Sequence, residues 1–197
     1  MRGVGIILAA GKGERMGGVA KALLDAGGRT FLQAVVAGVR EAGLRAVVVC
    51  GGPFVGEVTA AARALEAVVV VNPDIERGMA SSIATGLGAA DAGDDGDDGA
   101  LVWPVDHPLV RPATVAAVLA QATADDIVVP TLEGRGGHPV WFGRLHFAAL
   151  RDPGLGARGG ARALLAENPR VIRVNCGDPG VRYDIDTPPD YAKMRLP

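Results

Sequence analysis

Apolar residues in this chain fall in short runs closed by glycine, proline or acid, and the runs alternate between two periodicities. The first, Val4-Gly5-Ile6-Ile7-Leu8-Ala9-Ala10, is continuous and ends in glycines, which predicts a buried strand delivering a tight turn. Ala46 to Cys50 and Ala67 to Val71 are β-branched and read as two further strands. Thr30-Phe31-Leu32-Gln33 has the form of a capping box, predicting a helix through about Ala42 that Gly43 stops. An alanine-rich helix is expected from about Gly56 to Leu65, and another, capped by Ser81 or Ser82, to about Ala90. Beyond it come an apolar strand from Ala100 ending in Asp106, a helix from Pro112 to Ala122, a strand from Asp126 to Thr131 and an aromatic strand around Val140-Trp141-Phe142. Val171 to Val174 reads as an edge strand. Tyr183 to Asp186 reads as a last strand entering a short helix capped by Thr187, with Pro188 at its first position. Alternating strand and helix imply an α/β fold with a mostly parallel sheet, and 197 residues imply one domain, 1–197.

The turn after the first strand carries the chemistry. Gly11 and Gly13 allow backbone N–H groups to close on an anion, and Arg15 and Lys21 can neutralise more charge, so polyphosphate is the expected guest. A P-loop is excluded because Gly11-Lys12 is followed by glycine and not by a magnesium-binding hydroxyl. The dinucleotide fingerprint fails because position 16 is methionine and the second strand ends at Cys50-Gly51-Gly52 without an acid.

Three later places offer polar groups at the carboxyl ends of strands, where parallel α/β sheets bind ligands. Gly78, Ser81 and Ser82 lie in Asn72-Pro73-Asp74-Ile75-Glu76-Arg77-Gly78-Met79-Ala80-Ser81-Ser82, readable as a helix cap or as a ligand contact. Asp106, between prolines 104 and 108, is readable as a cap or as a divalent-cation ligand. Asp184 and Asp186 would point to one side of a strand, and either could be its partner. The run Asp91 to Gly99 has neither the register nor the closing glutamate of a calcium loop and reads as a solvated turn.

Composition narrows the field. The net charge is −2 and aromatics are 4%, which provides neither the basic footprint nor the stacking platform of a nucleic-acid binder and no pull toward anionic membrane. Cys50 and Cys176 fit no metal spacing and no disulfide framework. With no signal peptide or run of 18 apolar residues, a soluble, cytoplasmic protein is expected. No side chain stands out as a nucleophile. Transfer between phosphates needs none, because positioning and charge neutralisation suffice.

The string Leu8-Ala9-Ala10-Gly11-x-Gly13-x-Arg15-Met16-Gly17, followed by Lys21, resembles the signature of the MobA-like NTP transferases, closest to the molybdenum cofactor cytidylyltransferases. The resemblance extends to Tyr191 with motifs in the family's order. It implies a Rossmann-like, GT-A-like three-layer α/β/α domain whose Leu8 to Gly13 loop, Arg15 and Lys21 hold NTP phosphates, whose Gly78, Ser81 and Ser82 meet the base, and whose Asp106 and Asp186 hold Mg²⁺. Arg15, Lys21 and Asp106 would be catalytic. The Gly134-x-x-Gly137-His138-Pro139-Val140 segment and the Gly-Ala-Arg motif at 156–158 resemble acceptor-side elements, implicating His138 and Arg158. The implied reaction transfers CMP from CTP to the phosphate of molybdopterin with release of pyrophosphate, for a molybdenum hydroxylase client. Three departures stand out: Leu155 replaces an acid of the acceptor motif, Pro189 replaces the usual acid near the end, and the spacing to Lys21 is that of the guanylyl branch. A guanylyl or sugar-phosphate transferase, or a nucleotide-binding chaperone, are the alternatives.

Overall fold

The computed structural model describes residues 2–90 and 96–194. Its centre is β1 (Gly3–Ala9), paired in parallel with β2 (Arg45–Cys50) on one side and β4 (Gly99–Pro104) on the other. β3 (Val68–Val71) extends the sheet beyond β2. Beyond β4 lie β7 (Val140–Gly143), then β5 (Ile127–Leu132) and, outside it and parallel to it, β8 (Val171–Asn175). A two-residue arm, β6 (Arg135–Gly136), pairs with the end of β5. The aromatic strand β7 runs antiparallel to both neighbours, an inversion in a sheet whose other principal pairings are parallel.

Successive residues of β1 go to opposite faces, as the two-residue repeat of a strand demands. Ile7, with Val48, Leu101 and Trp103, packs under α1 (Phe31–Glu41), α2 (Val55–Ala64) and α4 (Pro112–Ala120). Ile6, with Val47, Val49 and Val102, packs under α3 (Met79–Ala90), α5 (Phe147–Leu150) and α6 (Ala161–Glu167). The result is the expected three-layer α/β/α arrangement. Helix α3 can lie this close only because residue 86 is glycine: a Cβ there would stand 2.4 Å from Ile6 Cγ2. Among the described residues no helix is long and apolar enough to cross a membrane.

Most expected elements stand where the pattern put them, including the Thr30–Gln33 capping box and the Thr187 cap over α7 (Pro188–Lys193). Two do not. Helix α3 begins at Met79, so Ser81 and Ser82 sit inside its first turn and do not cap it. Tyr183 to Asp186 is irregular backbone and not a strand, its course set by a hydrogen bond from Ile185 N–H to the Asp106 carbonyl, 3.0 Å. Residues 91–95 of the acidic run lie outside the described residues.

Strand order reverses between β1 and β4, since β2 and β3 lie to one side of β1 and everything later lies to the other. Such a switch point leaves a crevice above the carboxyl ends of the two strands. The glycine turn leaves β1 and Asp106 leaves β4 at that crevice.

Candidate active site

The turn after β1 is held by its own backbone. Gly13 adopts φ 67° and its carbonyl accepts from Met16 N–H and Gly18 N–H, both at 3.0 Å, closing a short 3₁₀ turn, Glu14–Met16, that carries Arg15. A Cβ at position 13 would lie 2.1 Å from the Val19 carbonyl oxygen. Gly11 serves differently: its φ is not positive and nothing lies within 4 Å of where its Cβ would be, so it keeps the backbone bare toward the crevice.

Lys21, at the start of a second 3₁₀ turn, is the hub. Its ammonium donates to Asp106 Oδ2 at 2.9 Å and to Asp186 Oδ1 at 2.5 Å, and only 16% of its side chain is exposed. Arg15 Nη1 stands 2.6 Å from the other oxygen of Asp186. Burial alone would lower the lysine's pKa, but Asp106 and Asp186 outweigh it and hold the pKa above the ordinary value. Asp186, which burial would raise, is held below the usual carboxylate range by Lys21 and then by Arg15. Two carboxylates and two cations thus balance at the mouth of the glycine turn.

Asp106 is fixed from both sides. Val105 N–H continues the ladder to the Leu8 carbonyl at 3.1 Å, and Trp103 Nε1 donates to the His107 carbonyl at 3.0 Å. Asp186 arrives through the Ile185 hydrogen bond to Asp106, so one irregular segment sets the spacing of both acids. Asp184 turns away and lines a different cavity.

Two cavities flank this hub. The smaller, about 250 Å³, is lined by Leu8 through Lys12, Lys21, Phe54, Val58, Ile75, Gly78, Met79, Ser82 and Asp106. The larger, about 1000 Å³, lies on the β5–β7 side and includes His107, His138, Phe142 and Asp184 together with four arginines, 77, 162, 173 and 182. Gly78 and Met79 border both.

Of the remaining anticipated residues, Ser82 and His138 each line a cavity, whereas Ser81 and Arg158 line neither. Ser82 lines the smaller one, whereas Ser81 is spent on the loop, its single hydroxyl proton shared between the carbonyls of Gly78 (2.8 Å) and Asp74 (3.0 Å). Both serines accept from Asn72 Nδ2, at 2.9 and 3.0 Å, and Asn72 Oδ1 accepts from Asp74 N–H at 2.9 Å. Asn72, 3% exposed, is the organiser of this loop that sequence reasoning passed over. Its signal was a polar residue ending a valine run directly before proline.

His138 lines the larger cavity with its ring 4.9 Å from that of His107, and its Nδ1 is enclosed without a hydrogen-bond partner among the described residues. Burial first, then His107, pushes its pKa down to about 3, so the ring is neutral. Arg158 does not reach that cavity: it is 57% exposed and tied to Asp152 at 2.6 Å, while Arg162, one turn on, lines the wall. The Gly154–Gly160 stretch is a series of turns that points 158 outward, an orientation the motif alone could not reveal.

Residues 5–171 match the MobA-like NTP transferase domain. The chain belongs to this family. It is 31% identical over 192 residues to the nicotine blue oxidoreductase of Paenarthrobacter nicotinovorans, covering 93% of this chain and 91% of that one. Among solved structures it resembles Rv0371c from Mycobacterium tuberculosis H37Rv (29% identity, 98% of both chains, TM-score 0.79), which has also been seen in complex with manganese. It likewise resembles a nucleotidyl transferase from Methanothermobacter thermautotroptrophicus (27% identity, 98% and 96% of the two chains, TM-score 0.81). The MobA-like fold therefore places this chain among the nucleotidyltransferases, for which a divalent cation is in keeping with the donors present. Asp106 and Asp186 offer hard oxygen ligands, and the lysine hydrogen bond to Asp106 uses only Oδ2. Among the described residues no group of three or more His, Cys, Asp or Glu forms a ready cage.

Proposed function

We propose that this protein transfers CMP from CTP to a phosphate of molybdopterin, in the cytoplasm, for a molybdenum hydroxylase client, with Mg²⁺ as the cation. The observation that carries the reading is the sharing of Lys21 between Asp106 and Asp186 beside a bare glycine turn: two cations for phosphate and two acids for metal at one crevice. Mg²⁺ held by Asp106 and Asp186 would supply charge neutralisation at the transferring phosphate.

The chain's own groups do the rest. Amides of residues 9–13 meet the phosphates, and Arg15 and Lys21 exchange their carboxylate partners for phosphate oxygens, stabilising the pyrophosphate as it leaves. The segment from Gly78 to Ser82 borders the base. The larger cavity, with four arginines against the single carboxylate of Asp184 in its lining, suits an anionic acceptor, and it shares Gly78 and Met79 with the smaller one, which puts acceptor and nucleotide on neighbouring sites for in-line attack on the α-phosphorus. Arg162 takes the acceptor role expected of Arg158. His138, being neutral, offers the acceptor a hydrogen bond and not a charge.

The test is incubation with each of the four NTPs, Mg²⁺ or Mn²⁺, and molybdopterin, with the product identified by mass. A cytidine dinucleotide with pyrophosphate supports the proposal; a guanosine product assigns the guanylyl branch. Product only with sugar phosphates reassigns the acceptor, and nucleotide binding without pyrophosphate from any acceptor points to a carrier. A second reading rests on the near full-length likeness to nicotine blue oxidoreductase. Redox turnover of nicotine blue, the compound in that protein's name, with no NTP turnover, would favour it.

A further inference from the structure

Lys12 stands between the two glycines of the turn and lines the smaller cavity with Gly11 and Lys21. Its ammonium is not directed at the Asp106–Asp186 hub. It reaches across to Glu76, 2.7 Å to one carboxylate oxygen and 2.9 Å to the other, with Glu14 farther off at 3.8 Å. Glu76 belongs to the short 3₁₀ turn Ile75–Arg77, and Ile75 of that turn and the following Gly78 line the same cavity. The ion pair therefore straps the phosphate-side turn to the base-side loop, 64 residues apart in the chain.

Two further facts give the strap a meaning. The cavity beneath it, about 250 Å³, is below the range of about 300–1000 Å³ usual for small-molecule sites. The pair is also exposed, 39% of the lysine side chain and 74% of the glutamate's, and ion pairs so placed are weak. A phosphate, offering more negative charge and several acceptor oxygens to the same ammonium, outcompetes one solvated carboxylate.

We infer that Lys12 is a third phosphate-binding cation, held away by Glu76 until a triphosphate enters, and that this exchange of partners unstraps the nucleotide cavity. The inference rests on the reading of this crevice as a triphosphate site. In the free protein Glu76 competes for Lys12; in the bound protein Lys12 is on phosphate and Glu76 is released to solvent, so the two loops part as the ligand seats.

The experiment is calorimetric titration of the full chain with inorganic tripolyphosphate and, separately, with CTP, each in Mg²⁺, for wild type, Lys12→Met, Lys12→Arg, Glu76→Gln and the Lys12→Met/Glu76→Gln double variant. Expected are binding weakened about tenfold by Lys12→Met, nearly restored by Lys12→Arg, and tightened about threefold by Glu76→Gln. Because the glutamate acts through the lysine, Glu76→Gln should change nothing in the Lys12→Met background. Equal tightening with and without Lys12 would show simple repulsion of the ligand and overturn the strap, as would a Lys12→Met variant that binds like wild type. Thermal midpoints within a degree or two of wild type establish that all variants fold. If tripolyphosphate follows this pattern and CTP does not bind, the strap stands and the cytidine reading falls. If CTP binds without it, the reverse holds, and if neither ligand binds, both fall.

Discussion

Lys21 and Asp186 are 165 residues apart and 2.5 Å apart, and that contact joins the first loop of the chain to its last irregular segment. Because the same ammonium also holds Asp106, one side chain stands where the glycine turn, the central strand β4 and the C-terminal segment converge.

Removing this side chain should separate binding from fold. Lys21→Met leaves Asp106 and Asp186 facing one another without their shared cation. Nucleotidyl transfer is expected to fall about 10²–10³-fold, as for loss of a single charge-stabilising donor. Asp106→Asn should lower turnover at least as far while leaving the circular dichroism spectrum unchanged. Pyrophosphate release under saturating NTP measures both.

The pH dependence of stability should carry the mark of His138. The unfolded chain takes up this proton near pH 6.5 and the folded chain only near pH 3, so between those values the unfolded state binds more protons. Stability must therefore fall as pH is lowered through that window, by at most about 1.4 kcal/mol per pH unit for one group. Urea titrations from pH 6.5 to 4 should show that slope, and His138→Gln should flatten it. Asp186 acts lower on the scale. Its depressed pKa contributes stability that is complete above the ordinary aspartate pKa and disappears as pH falls through the folded value.

Asp178 is 1% exposed and accepts from Arg111 N–H (2.8 Å), the Thr114 hydroxyl (2.6 Å) and Gly180 N–H (2.9 Å). Through Gly180, whose carbonyl meets His107 Nδ1 at 3.3 Å, it anchors the stretch leading to Asp186. Asp178→Ala strands three donors and should cost about 2–4 kcal/mol in chemical denaturation. Any folded fraction should turn over slowly because Asp186 is no longer held in place.

Gly13→Ala combines a left-handed backbone, φ 67°, with a methyl driven against the Val19 carbonyl. Distortion confined to the turn predicts at least a tenfold loss of NTP affinity with a thermal midpoint lowered by only a few degrees. Gly11→Ala, with open space at its Cβ, should fold like wild type, and any loss of affinity then reports the approach of phosphate itself.

Local chemistry was legible in the sequence because it is encoded locally. The Leu8 to Lys21 string specified a strand, a glycine turn and two cations, and the alternation of β-branched runs with alanine-rich segments specified an α/β sheet, since periodicity is a property of neighbours in the chain. Thr30 with Gln33 announced a capping box and Thr187 with Pro188 a helix start for the same reason. What tertiary structure alone decided were matters of direction and partnership. β7 inserted antiparallel between β4 and β5, Arg158 turned out to Asp152 while Arg162 turned in, and Asp184 and Asp186 parted company because a hydrogen bond to Asp106, and not a strand partner, shapes their segment. A side chain's orientation is fixed by atoms distant in sequence that pack or bond against it. Residue types therefore told what chemistry the chain holds, and only the fold could tell which of them meet.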